Sequence, residues 1–357
     1  MTTVDWKLLE ELTQAPGAPG HEHEVRKIME REIQKYTSEM VSDSLGGIFG
    51  IKKGAIDSPR VLVAGHMDEV SFMITRISKE GYLSFTALGG WWSQVLLSQP
   101  FEVYTTSGRA IHGVIGSTPP HNLTPEERTK VYPMNKMFLD VGARDEEEVR
   151  SWGIKEGCVM IPYSPYRELE GGHRLLSKAF DNRLGCSMSL EVLRELHKED
   201  LPNTLIAGAT TQEEVGLRGA QTSAVLTEPD AFFAIDVSPA GDNPGAKDAF
   251  GYLGKGVLIR ILDRTMITQP LMRDYLLDTA ESLGIPYQIF VSQGGTDSGK
   301  VHLSGKGVPS ATLGVCGRYI HSHTTIVDRE DIEALKTFAT EIVRRFDNST
   351  FQSLIYR

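Results

Sequence analysis

Residues 61–68 read Val-Leu-Val-Ala-Gly-His66-Met67-Asp68. The first five are short, apolar and rich in β-branched side chains, the texture of a strand buried on both faces of a parallel sheet. The run stops at an imidazole and, two residues later, a carboxylate. The pattern recurs along the chain: a strand-like run at 204–209 leads to Gln212-Glu213-Glu214, one at 231–235 ends in Asp236, and one at 311–315 leads to Arg318-Tyr319-Ile320-His321. Further strand-like runs lie at 257–261 and 287–291. Helical spacing fills the gaps. Leu184, Met188, Val192 and Leu196 repeat every four residues, residues 271–283 fit a second helix, and Ile332, Leu335, Phe338, Ile342 and Phe346 form one stripe with Asp328 as its N-cap. Strands alternating with helices predict an α/β fold, a mixed central sheet with helices on both faces.

Towards the N-terminus, Trp6, Leu8, Leu9 and Leu12 share a helical face, and 21–36 again has helical spacing through Val25, Ile28 and Ile33. The Ala-Pro-Gly-Ala-Pro-Gly stretch between them is a stop and restart, and Gly46-Gly47 marks a hairpin turn. From about 69 to about 166 the texture changes to short strands broken by glycine, with helical spacing at 145–152 and a long polar, proline-rich loop at 117–136. This predicts a β-rich module, residues 69–166, inserted into a domain made of 1–68 and 167–357. The 357-residue length, beyond the usual single core of roughly 250–300 residues, then divides into two ordinary cores.

Composition narrows the function classes. Hydrophobic residues make up 40% and charged residues 24%, as in ordinary folded proteins. The net charge of −10 disfavours nucleic acid as a partner. Cys158, Cys186 and Cys316 form neither a CxxC pair nor a disulfide framework. No apolar run reaches the roughly 18–20 residues of a membrane span, and residues 1–14 do not read as a signal peptide. A cytoplasmic protein is expected. The loop 294–299 lacks the spacing and Lys-Ser/Thr ending of a phosphate loop.

Chemistry is expected where the strands end, since ligands of open α/β sheets collect beyond the strands' carboxyl ends. Singly, each group there has an ordinary reading: Asp181 would cap the helix it opens, and Glu213-Glu214 would be solvated. Together, five imidazole or carboxylate groups favour a metal site. Such donors suit zinc, cobalt or manganese and exceed the needs of one catalytic ion, whereas two ions sharing a carboxylate would use them all. His21 and His23 open a polar helix and read as surface residues. His112, His121, His173 and His197 have no acidic company. His302 is a candidate substrate-side group.

Six blocks in order carry a family resemblance: Gly65-His66-Met67-Asp68-Glu69-Val70, Lys178-Ala-Phe-Asp181-Asn182-Arg183, Gln212-Glu213-Glu214-Val215-Gly216-Leu217-Arg218-Gly219, Asp236 with Pro239-Ala-Gly-Asp242, Gly294-Gly-Thr-Asp297, and Arg318-Tyr319-Ile320-His321-Ser322. They resemble the tetrahedral (TET-type) cocatalytic metallo-aminopeptidases, nearest the bacterial glutamyl aminopeptidases. The resemblance implies a zinc-peptidase α/β fold with a barrel-like dimerisation insert, twelve subunits in a tetrahedral particle, and short peptides as substrates. It implies that Asp181 bridges two divalent ions, with His66 and Asp236 completing one site and Glu214 and His321 the other. Glu213 would be the general base, and Asp68 would hold the distal nitrogen of His66. Lys300 and Arg318 are the candidate cations for an acidic first residue, with a local carboxylate as the alternative partner of Arg318.

Overall fold

The computed structural model describes residues 2–54, 59–246 and 250–355. The chain divides into two compact units, one of Met1–Asp68, Tyr166–Ile320 and Thr325–Arg357, the other of Glu69–Pro165 and His321–Thr324.

The first unit is built on an eight-stranded mixed sheet. Its spatial order is Met40–Ser42, Ile48–Lys52, Thr204–Thr210, Arg60–His66, Ala231–Pro239, Ser310–Gly317, Val257–Leu262 and Tyr287–Val291. The central four run parallel. Ile48–Lys52 and Val257–Leu262 flank them antiparallel, so the sheet is mixed as expected. Every residue of Thr204–Thr210 and Ser310–Gly317 is buried, because helices cover both faces. A three-stranded sheet of Arg167–Glu168, Arg174–Ser177 and Thr325–Asp328 lies in the same unit.

The period-two alternation of strands sorts the central side chains. Val61, Val63, Phe233, Ile235, Leu205 and Ala207 enter the larger core with the helices Trp6–Gln14, His23–Ile33, Phe180–Leu196, Pro270–Leu283 and Arg329–Arg345. Leu62, Ala64, Phe232, Ala234 and Ile206 enter a smaller core with Ala220, Ala224 and Val301 from Arg218–Thr227 and Ser298–Val301. Asp328 accepts a hydrogen bond from the Glu330 amide, capping Arg329–Arg345 as its sequence predicts.

The second unit closes six antiparallel strands into a barrel, in the order Ser71–Ile77, Leu83–Leu88, Phe138–Asp140, Ala110–Gly116, Pro100–Tyr104 and Val159–Pro162. Buried and exposed residues alternate along Ala110–Gly116, and Phe72, Ile74, Phe101, Val103, Leu139 and Met160 fill the interior. Closure removes the sheet edges that short strands would otherwise expose. The 117–136 stretch carries three short helical turns, one fixed by a Thr124–Glu127 capping box.

Helix Phe180–Leu196 lies directly on the sheet because two glycines let the backbones meet. A Cβ on Gly65 would come within 2.3 Å of the Gly185 carbonyl carbon, and one on Gly185 within 2.2 Å of the Ile235 carbonyl oxygen. Gly185→Ala should lower the unfolding free energy by about 1–3 kcal/mol or more, seen as a fall in denaturant midpoint. Gly294→Ala, whose added carbon meets only the Ser292 hydroxyl at 3.8 Å, should leave it in place. Equal midpoints would show that the helix can move aside.

Candidate active site

The register of the parallel strands assembles the site. Arg60–His66 and Ala231–Pro239 stay paired up to Ala64 opposite Ala234. Two residues further on each strand, and so on the same face, stand His66 and Asp236. Thr210 pairs with His66 on the other neighbour, and the chain leaving it carries Glu213 and Glu214. Asp181 comes from the start of the helix that Gly65 and Gly185 hold against the sheet. The Asp181–Asn182 peptide is cis, and the Asn182 amide donates to Ile235 O at 2.8 Å while its oxygen accepts from Gly185 N.

Five of the sequence-predicted groups come together. His66 Nε2 lies 3.3 Å from Asp181 Oδ1, 3.8 Å from Glu213 Oε2 and 4.0 Å from Asp236 Oδ1. Two sets have their donor atoms within 4.8 Å of one another, namely His66 with Glu213 and Asp236, and His66 with Asp181 and Glu214. The division differs from the motif-implied one, in which Glu213 is no ligand and Asp181 joins both sites. His321 belongs to neither set. It follows the strand Ser310–Gly317, has a positive φ of 55°, falls within the second unit, and places Nδ1 3.0 Å from Gly90 O. His323, two residues on, sets Nε2 2.8 Å from Pro100 O and packs edge-on against Phe101.

Asp68 organises this cluster. It is completely buried. Its Oδ1 accepts the Glu213 amide at 2.9 Å and its Oδ2 the Glu214 amide at 3.0 Å. His66 Nδ1 lies 3.0 Å from the Asp68 carbonyl oxygen and 3.4 Å from Oδ1. One side chain thus faces the imidazole and fixes the backbone of both glutamates, a role larger than its sequence motif suggests.

The electrostatics show what the cluster lacks. Burial, with the charge of Asp181 added, raises the Asp236 carboxyl to about 7, although His66 and Arg260 oppose it. Burial also lifts Glu213 well above the usual carboxylate range, with Glu214, Asp297 and Asp236 adding to the effect against His66. Burial alone would push His66 down, but Glu213, Asp181 and Asp68 outweigh it and hold the imidazole well above its ordinary value. Carboxylates crowded this way hold protons or a metal, and a divalent ion displaces the protons. The donor set, oxygen with one imidazole, fits that exchange for zinc, cobalt or manganese and not for a thiolate-seeking ion.

Two acids carry no role in the sequence reading, although Asp297 stands in one of its motif blocks. Asp297, 4% exposed, takes a hydrogen bond from the Thr210 hydroxyl, and burial lifts it to about 6. Its signal was an acid inside the glycine-rich 294–299 turn. Glu22, also 4% exposed, sits between the two dismissed histidines. Of the candidate cations, Arg318 is engaged by Asp242 through two 2.7 Å bonds, and Lys300 is exposed. His302 turns its Nδ1 to Ser298 O.

A family profile described as M42 glutamyl aminopeptidase matches residues 46–338. The chain belongs to the M42 peptidase family. It is thus an aminopeptidase of a metal-dependent family, and the His66 cluster is its candidate metal site. The M42 chain is 40% identical to the glutamyl aminopeptidase of Lactococcus lactis subsp. cremoris over 334 residues, 93% of this chain and 94% of that protein. A TET aminopeptidase from a marine-sediment thaumarchaeon is 41% identical and superposes with a TM-score of 0.95 over 98% of both chains. The Pyrococcus horikoshii TET1 peptidase, which can assemble into a tetrahedron or a large octahedral shell, is 31% identical with a TM-score of 0.85, over 95% of this chain and 99% of that one. Among the described residues, no helix is long and apolar enough to cross a membrane.

Asp68→Asn replaces one oxygen with an amide that would face a backbone N–H. Metal affinity should fall about 10–100-fold, measured by competition with a chelating dye. Unchanged affinity would leave Asp68 without an organising role.

Proposed function

We propose that this M42 chain removes N-terminal glutamate or aspartate from short peptides, using water activated at two divalent ions with Glu213 as general base. The carrying observation is the convergence of His66, Glu213, Glu214 and Asp236 from the carboxyl ends of neighbouring parallel strands with Asp181 from the start of the helix Phe180–Leu196, with Asp68 gripping the backbone of the two glutamates. When bound, the ions would polarise the scissile carbonyl and lower the pKa of water towards neutrality. His66, Asp181 and Asp236 are assigned to one ion and Asp181, Glu214 and His321 to the other. His321 enters through the motif it stands in, Arg318 to Ser322. Zinc, cobalt and manganese all suit these donors.

Glu213 has the chemistry of the base. Its carboxylate takes the proton of the attacking water and returns it to the leaving amine. Its backbone is pinned at the amide, so the carboxylate is offered from a fixed point. The acids of the cluster also suit the free α-amino group of a peptide, which would confine cleavage to the N-terminus. The second unit is proposed as a dimerisation module of a tetrahedral dodecamer, in line with the assembly of the Pyrococcus horikoshii relative. A location in the cytoplasm completes the reading.

Acidic preference draws support from the Lactococcus lactis relative. A second reading, a broad or neutral-residue aminopeptidase, is favoured by the Arg318–Asp242 pair, which neutralises the candidate cation nearest the motifs.

Glu213→Gln should keep its metal and lose about 10²–10⁴-fold in kcat. Near-wild-type turnover with metal bound would refute the base assignment. On a panel of aminoacyl anilides with metal added back to the apo-protein, glutamate and aspartate should exceed leucine by about tenfold or more in kcat/KM. A preference for leucine would select the second reading.

A further inference from the structure

Glu22 occupies the N-cap position of helix His23–Ile33 yet makes no capping hydrogen bond to it. An N-cap carboxylate ordinarily accepts from its own helix's first turn. Here Oε1 instead accepts the Gly20 amide at 2.9 Å and the Gln212 amide, 190 residues away, at 3.1 Å. Gln212 has a φ of 53°, a left-handed conformation that residues with a Cβ seldom adopt. The next two amides, of Glu213 and Glu214, go to Asp68. Three consecutive N–H groups are therefore gathered by two buried carboxylates, an anion-holding concavity occupied by the protein's own side chains.

The bond is not needed to attach the N-terminal segment. Arg183, fully buried, already binds the carbonyls of Leu12, Ala15 and Gly17 together with that of Met67. Arg218 holds the Gln212 carbonyl through its amide and the Gln212 side chain through its guanidinium, and Glu22 supplies the hold on the amide of this residue that leads into the two glutamates. We infer that Glu22 is a positioning residue, which holds Gln212 in its left-handed turn so that Glu213 is presented to the reacting water. The inference rests on the reading of Glu213 as the base. Both hydrogen bonds fall on one oxygen, so an amide oxygen at the same reach can replace it. A carboxylate one methylene shorter cannot.

The test compares Glu22→Gln, which keeps the reach and removes the charge, with Glu22→Asp, which keeps the charge and loses the reach. Each is assayed for kcat, KM, bound metal and thermal midpoint on the holoenzyme with one aminoacyl anilide. Glu22→Gln should stay within about threefold of wild type in kcat. Glu22→Asp should lose about tenfold or more, since small displacements of a catalytic group have large effects on rate, with KM and metal content unchanged. The reverse order, two variants at wild-type rates, or two equally impaired variants would each overturn the inference. Glu213→Gln, run alongside, separates the two claims. If it is active while Glu22→Asp is slow, the base assignment fails. If it is inactive while Glu22→Asp is fast, the role of Glu22 fails alone.

Discussion

One fully buried carboxylate, Asp68, sets the geometry on which the site depends. Its two oxygens hold the amides of Glu213 and Glu214, and its carbonyl and Oδ1 face the imidazole of His66. A buried charge without partners is costly, so the chain around Asp68 has little freedom to rearrange. Two connections that leave neighbouring parallel strands are locked to each other. Gly65 and Gly185 supply the other half of the constraint by letting the helix that begins near Asp181 rest on the backbone beneath.

The same packing creates an excess of negative charge that the fold itself only partly balances. Arg260 lies near enough to Asp236 to lower its carboxyl, but it is also bonded to Asp263 and Ser238. Asp236 and Glu213 remain raised. Most proteins avoid such a cluster, since removing charges from water without compensation is destabilising. A site meant to capture divalent cations needs it, because the ions supply the missing positive charge. The overall charge of −10 works against an acidic peptide at long range. An acidic preference would therefore have to arise locally, from the ions and from cations that Asp242 does not already occupy.

Much of the first unit was legible because its strands are short apolar runs that stop at polar residues. His66 and Asp236 announce themselves as the ends of such runs, and the helix 328–346 by its stripe and cap. The order of the strands was not legible, since Thr204–Thr210 lies beside Arg60–His66 only through pairing across more than a hundred residues. Glu22 was hidden for the same reason: its partner is far away in sequence, and the flanking His21 and His23 look like a solvated helix start. Asp297 was visible as part of a motif block but without a role, because its partner, the Thr210 hydroxyl, is 87 residues away. Arg318 could be seen either as a specificity residue or as half of an ion pair, and only the structure pairs it with Asp242, 76 residues away. From its residues the insert showed only β texture, because strands of three to seven residues carry too little pattern to announce a closed barrel.

The proposed function turns on two ions held by these side chains around Asp181. Anomalous diffraction from crystals of the zinc-loaded protein measures this directly. Two peaks per chain are expected, about 3.5–4 Å apart, with Asp181 between them and oxygen or nitrogen donors at about 2.0–2.2 Å. A single peak, or two peaks that do not share Asp181, would contradict it.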